Sequence, residues 1–170
     1  GRLAISPERK AEIESQYTIG SVWYRRDILG ERCIAEGLVY PMYEKALCDM
    51  PDGNPTEYCI SMDYGTMNAF AAILWGKIGE IWYGLRNYYY SGRDEKRQKT
   101  DEQYANEIDG WRADIPGRLE CIIDPSAASF IALLNKREGY KVHKADNAVL
   151  DGIRETANAL DNGYIKIVTT

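Results

Sequence analysis

The sequence is short of the residues on which much neutral-pH chemistry depends. Its 170 residues include one histidine, His143, and four cysteines, Cys33, Cys48, Cys59 and Cys121, none of them at CxxC spacing. That excludes a zinc ribbon or finger, and any Ser-His or Cys-His catalysis that does not run through His143. No apolar run approaches the roughly 18 residues of a membrane span, and the longest, Ala69 to Trp75, is strand-sized. There is no GxxxxGK[ST] loop, so the chain carries no P-loop ATPase. No basic segment leads into an apolar run and a cleavage site, so nothing argues for secretion. Internal repeats and low-complexity tracts are missing too. The opening Gly1-Arg2 has no initiator Met, which suggests a piece of a larger protein. The formal charge of −5 weakly disfavours nonspecific nucleic-acid binding, although charge placement matters more than the total.

What remains is the composition of a folded domain, 45% hydrophobic and 28% charged, at a length that suits one core with a short appendage. With so little His and Cys, a catalytic metal would have to be held through oxygen, which favours Mg²⁺ or Mn²⁺ over zinc.

The chain divides near Pro51-Asp52-Gly53-Asn54-Pro55, a strong turn signal. Before it, Ser6-Pro7 caps a polar helix running to Gln16, a second short helix spans about 21–29, and 31–57 is irregular and acidic. The expected division is a helical and irregular segment over 1–57 and the main fold over 58–170. From Tyr58 onward three strands (58–62, 69–76 and 80–90) follow one another through short connections. They must form an antiparallel meander, because a parallel crossover needs a dozen residues or more. A helix carrying Tyr104, Ile108 and Trp111 on one face comes next. Strand 119–123, helix 126–138, strand 140–144, a helix carrying Val149, Ile153, Ala157 and Leu160, and strand 164–168 complete the order β-β-β-α-β-α-β-α-β. A meander followed by αβαβ units predicts a ribonuclease H-like mixed sheet with helices on both faces.

In that arrangement the first and fourth strands are parallel neighbours, and each ends in an aspartate, Asp63 and Asp124. Both carboxylates would emerge at the carboxyl-end rim where open α/β sheets bind ligands. On strands about 4.8 Å apart, two such charges repel unless a cation lies between them. Taken singly, Asp63 reads equally as a hairpin corner and Asp124 as the cap of the following helix; the pairing is what favours a metal site. His143 reads as a solvent-facing or satisfied strand residue, and Tyr88-Tyr89-Tyr90 as sheet face and edge. Asp146 and Asp151 read as capping and surface residues. The loop holding Arg93, Lys96, Arg97 and Lys99 is either solvated surface or a binding element for a phosphate backbone.

These motifs resemble a known family. Val39-Tyr40-Pro41, Ser61-Met62-Asp63-Tyr64-Gly65, Gln98-Lys99-Thr100-Asp101-Glu102-Gln103-Tyr104, Ile123-Asp124-Pro125-Ser126-Ala127-Ala128 and Asn147-Ala148-Val149-Leu150-Asp151-Gly152-Ile153 are similar to the large terminase subunit of tailed bacteriophages, in its carboxyl-terminal nuclease domain. The resemblance covers roughly residues 21–168. It implies a metal-dependent endonuclease that cuts concatemeric double-stranded DNA during viral packaging, in the host cytoplasm, through two Mg²⁺ or Mn²⁺ ions. It implies an ATPase domain in the whole protein, with residues 6–40 as the motor's tail or linker, and the portal protein and small terminase subunit as partners, with no membrane involved. Asp63 and Asp124 match the family's first two metal-binding aspartates. Its third acidic ligand lies on a helix after the last strand, and nothing here matches it before Thr170, so the nuclease domain is expected to be truncated and the fragment's own activity is in question. Arg93, Lys96, Arg97 and Lys99 would position DNA without reading bases. Two other readings compete. Asp63-Tyr64-Gly65-Thr66 resembles the first phosphate loop of actin and sugar kinases, whose second loop has no counterpart here. A nuclease-like fold kept only as a docking module for the portal or small subunit is the other.

Overall fold

The computed structural model describes residues 39–65 and 68–169. The helices expected over 6–16 and 21–29, and Thr66 of the phosphate-loop reading, lie outside the described residues. The described chain falls into two compact units, one of 47–147 with 165–169 and the other of 39–46 with 148–164.

The larger unit is built on a seven-stranded sheet, comprising β1 (Leu47–Cys48), β2 (Glu57–Asp63), β3 (Ala69–Ile78), β4 (Ile81–Ser91), β5 (Leu119–Ile123), β6 (Tyr140–Lys144) and β7 (Ile165–Val168) in the spatial order β1-β7-β4-β3-β2-β5-β6. β2, β3 and β4 form the antiparallel meander. β5 lies parallel to β2 and β6 parallel to β5, while β7 pairs parallel to both β4 and β1. Six of the seven strands therefore run the same way and only β3 runs against them. This is the mixed α/β sheet of the ribonuclease H-like fold.

β3 alternates between buried and half-buried residues along its first eight positions, as a strand with one face on the core must. The β3–β4 hairpin turns on two residues, Gly79 and Glu80, one place later than the sequence suggests. Ile78 pairs with Ile81, and Gly79 takes the positive φ of 61° that such a tight turn demands. Two helices of this unit, α2 (Asp101–Arg112) and α3 (Ala128–Leu134), bury Tyr104, Ala105, Ile108, Phe130, Ile131 and Leu134 in the same core as Ile60, Met62, Phe70 and Leu74 of the sheet. α2 opens with a reciprocal cap. Thr100 accepts from the Gln103 amide, and the Gln103 side chain accepts from the Thr100 amide.

Residues 39–56 are less irregular than the sequence suggests. A single helical turn, α1 (Tyr43–Ala46), leads into β1, which adds a two-residue edge to the sheet through β7. So short a strand has no legible alternation; its pairing across more than a hundred residues of chain defines it. The smaller unit holds α1 and α4 (Val149–Asp161), with Ala46, Ala157 and Leu160 buried. Among the described residues no helix is long and apolar enough to cross a membrane.

Candidate metal centre

β2 and β5 pair in register up to Met62 and Ile123, so Asp63 and Asp124 are the next residue on each of two parallel neighbours. Met62 and Ile123 point into the core. By strand alternation the two aspartates face the opposite side of the sheet together, Asp63 exposed and Asp124 half-buried. The row continues across β3 and β4. Asp63 pairs with Ala71 and Ala71 with Tyr89, an exposed residue of the same face. A small alanine beside Asp63 leaves the carboxylate open to solvent.

The core fixes the backbone carrying both acids. Tyr64, immediately after Asp63, turns inward, stacks on Phe130 with ring centroids 5.1 Å apart, and meets Phe70 edge-on at 5.8 Å. Its hydroxyl donates to Asp101, and burial together with that acceptor raises the phenol well above its ordinary range. Phe130 belongs to α3, the helix that follows Asp124, so one aromatic stack joins the exits of both strands. Such pairs contribute about 0.5–1.5 kcal/mol beyond their buried area. Gly65 is required by space, since a Cβ there would lie 2.4 Å from the Ala69 carbonyl oxygen and 2.7 Å from that of Asn68.

Asp124 is held locally as well. Its Oδ1 accepts from the Ser126 amide at 2.7 Å, the turn that starts α3. Hydrogen bonds from the Ser126 side chain and amide, with a further one from Asn147, keep its carboxyl below the usual aspartate range. The carboxylate is thus charged and oriented at neutral pH, with lone pairs left for a cation. Hard oxygen donors of this kind suit Mg²⁺ or Mn²⁺. Among the described residues no group of three or more His, Cys, Asp or Glu side chains converges in a way that could hold a metal ion.

The basic loop emerges at the same edge, because β4 runs parallel to β2. Arg93, Lys96 and Arg97 are exposed on a turn held by the Glu95 amide on the Ser91 carbonyl and by the Tyr90 hydroxyl on the Arg97 carbonyl. Lys99 is differently placed. Its ammonium lies 4.0 Å from the Tyr90 ring centroid and donates to Glu107 at 2.7 Å and to the Tyr88 hydroxyl at 2.8 Å. Burial would raise the Glu107 carboxyl, yet the hydrogen bonds from Lys99 and Tyr88 outweigh it and hold it low. Burial and the Glu107 acceptor push the Tyr88 phenol up to about 12. Lys99 fastens the loop to α2, and three of the four candidate cations are left facing solvent.

His143 pairs with Glu120, which Lys141 also holds at 2.9 Å, so the histidine is satisfied within the sheet face by Glu120 rather than by either aspartate. Sequence reasoning missed the Tyr64–Phe130 tie and the Lys99–Glu107–Tyr88 cluster. The Thr100-x-x-Gln103 cap was a readable sign that the loop ends where it does.

Solved structures similar to the chain are phage large terminases. One from a thermophilic bacteriophage (crystal form 3) is 38% identical, with a TM-score of 0.76 over 98% of this chain and 42% of that one. The chain thus spans about two fifths of the length of that relative. The nuclease domain of the P22 large terminase matches at 14% identity and a TM-score of 0.60, covering 79% of this chain and 73% of that chain. The large terminase nuclease of thermophilic phage G20c, solved with bound cobalt, matches at 12% and 0.55, over 81% and 77%. Those two likenesses show the fold. No family model and no curated protein matches the chain.

Proposed function

We propose that this chain is the nuclease region of a viral DNA-packaging enzyme, a metal-dependent endonuclease acting on double-stranded DNA. The observation that carries the reading is the register that sets Asp63 and Asp124 side by side on one face of the carboxyl-end rim. Similarity to large terminases supports a packaging context and an ATPase domain elsewhere in the whole protein, and on this reading the portal and small subunit would be its partners.

Asp63 and Asp124 would hold the cations, Mg²⁺ or Mn²⁺. Divalent ions so bound lower the pKa of a water and offset the charge that develops on the leaving oxygen during phosphodiester hydrolysis. The protein's own part would be to keep the two carboxylates aimed at one place. Ser126 does this for Asp124, and the Tyr64–Phe130 stack does it for the backbone at Asp63. Arg93, Lys96 and Arg97, on the same edge, would hold the DNA backbone through phosphates, which positions a duplex without selecting its sequence.

The test is Mn²⁺-dependent nicking of supercoiled plasmid. The chain is expected to nick and Asp63→Asn to fail to, with the same circular dichroism for both. Nicking that survives the substitution overturns the assignment.

A further inference from the structure

At the opposite edge of the same sheet, where β5 and β6 begin, lies a cleft of about 630 Å³. Its charged lining is Arg112, Arg118, Lys136, Arg137, Lys141 and one carboxylate, Glu138. In a chain of net charge −5 this concentration of cations is set against the overall balance. Two of them are already engaged. Arg137 is bound by Glu102 and Asp109, and Lys141 by Glu120. Arg112, Arg118 and Lys136 have no ion pair among the described residues, and Arg118 and Lys136 are exposed.

Arg112 is seated in the cleft. Its Nε is buried without a hydrogen-bond partner, and its Nη2 reaches the Gly117 carbonyl only at 3.5 Å. The guanidinium occupies the space a side chain at 139 would need, since a Cβ on Gly139 would fall 1.8 Å from Nε. One buried guanidinium nitrogen without an acceptor, beside two cations that form no ion pair among the described residues, is an arrangement that favours a bound anion. The volume falls within the roughly 300–1,000 Å³ of small-ligand pockets, but the charged lining excludes an apolar occupant.

We propose that this cleft binds a phosphate group, through the Arg112 guanidinium with Arg118 and Lys136. Phosphate offers several acceptor oxygens and up to two negative charges, enough to engage forked and point-charge donors together. This cannot be the phosphate cleaved at the aspartates. Leu119 to Asp124 spans five strand steps, roughly 17 Å at about 3.3 Å per residue. The group bound belongs either to a distant stretch of DNA backbone or to a free phosphate compound.

The experiment follows the Gly117 and Gly139 amide signals of the full chain by ¹⁵N–¹H NMR at constant ionic strength. It uses inorganic phosphate alone, a short DNA duplex alone, and the duplex with phosphate as competitor. Phosphate is expected to shift both signals saturably. Arg118→Glu with Lys136→Glu, both on exposed positions, should weaken this more than about tenfold, since the loss of even one charge-assisted hydrogen bond costs about that much. Duplex that shifts the same signals and is displaced by phosphate identifies the ligand as DNA backbone. Phosphate binding without a duplex effect identifies a free phosphate compound. Signals no more responsive to phosphate than to chloride, or unchanged affinity in the double variant, overturn the proposal. Asp63→Asn leaves all of these results in place, so failure here is separate from failure of the nuclease reading.

Discussion

The two edges of one sheet have opposite characters. At the carboxyl edge, acids come together from neighbouring strands, Asp63 and Asp124, and are held by an aromatic stack and an Asx turn. At the amino edge, bases come together from a helix end and two loops, with Arg112 pressed against Gly139. The backbone explains part of the contrast. Six strands present their carboxyl ends to the first edge, so residues just past a strand end converge there in register. The second edge is assembled by residues that share no spacing. A site built on strand register has its backbone placed by strand pairing and then steadied by local contacts, whereas one built on helix and loop ends depends throughout on how those ends pack.

The contrast breaks most severely if the acid pair is neutralised. Asp63→Asn with Asp124→Asn should weaken Mn²⁺ binding by more than roughly 100-fold, since even altering a residue behind the ligands costs 10–100-fold. Isothermal titration measures it, and thermal stability should fall slightly, because hydrogen bonds that favour the charged Asp124 carboxylate are weakened.

The next largest effect concerns the basic loop. Arg93→Glu, Lys96→Glu and Arg97→Glu together should weaken duplex binding and reduce the salt slope by about 0.9 for each phosphate no longer neutralised. Fluorescence anisotropy across a salt series gives the slope. Lys99→Met should leave it unchanged, because that ammonium is spent on Glu107 and the tyrosines.

Glycine substitutions sharpen the comparison of edges. Gly65→Ala drives a Cβ into backbone carbonyl oxygens that cannot retreat, so it should reduce stability and metal binding together. Gly139→Ala meets a side chain that can swing away, leaving chiefly the cost of φ +88°, of order 1–3 kcal/mol. It should disturb phosphate binding and spare Mn²⁺. Calorimetry with both ligands checks the pair.

The smallest effect is the pH dependence of the Lys99–Glu107 tie. The Glu107 carboxyl is held below its ordinary value of 4.5, so its contribution is fully present above that pH and fades as the pH falls through the lowered value. The pair is partly exposed, and a contribution of at most about 1 kcal/mol is expected. The melting temperature of Lys99→Met should fall below that of the native chain at pH 7, and the gap should close in acid.

Much of the carboxyl edge was legible in the sequence. Short connections dictated the meander, the strand 119–123 appears at the bounds its apolar run suggests, and Asp63 and Asp124 stand at the rim because each lies at a strand's carboxyl end. The helix read as 126–138 is shorter, Ala128–Leu134, since the Asp124–Ser126 turn takes its first residues and Gly139 closes the segment at positive φ. β1 was hidden because two residues carry no period. Lys99 read as one of four equivalent cations, because the Tyr88 and Tyr90 faces that capture it come from another element. The amino-edge cleft was illegible for the same reason. Arg112, Arg118 and Lys136 lie in separate segments and meet only once α2 and α3 have packed.

Whether hard cations bind where the two aspartates meet is read directly by paramagnetic broadening. Substoichiometric Mn²⁺ added to the ¹⁵N-labelled chain should broaden the amide signals of residues 63–65 and 124–126 first and leave Gly117 and Gly139 sharp. Broadening centred elsewhere, or uniform across the sheet, would contradict the account.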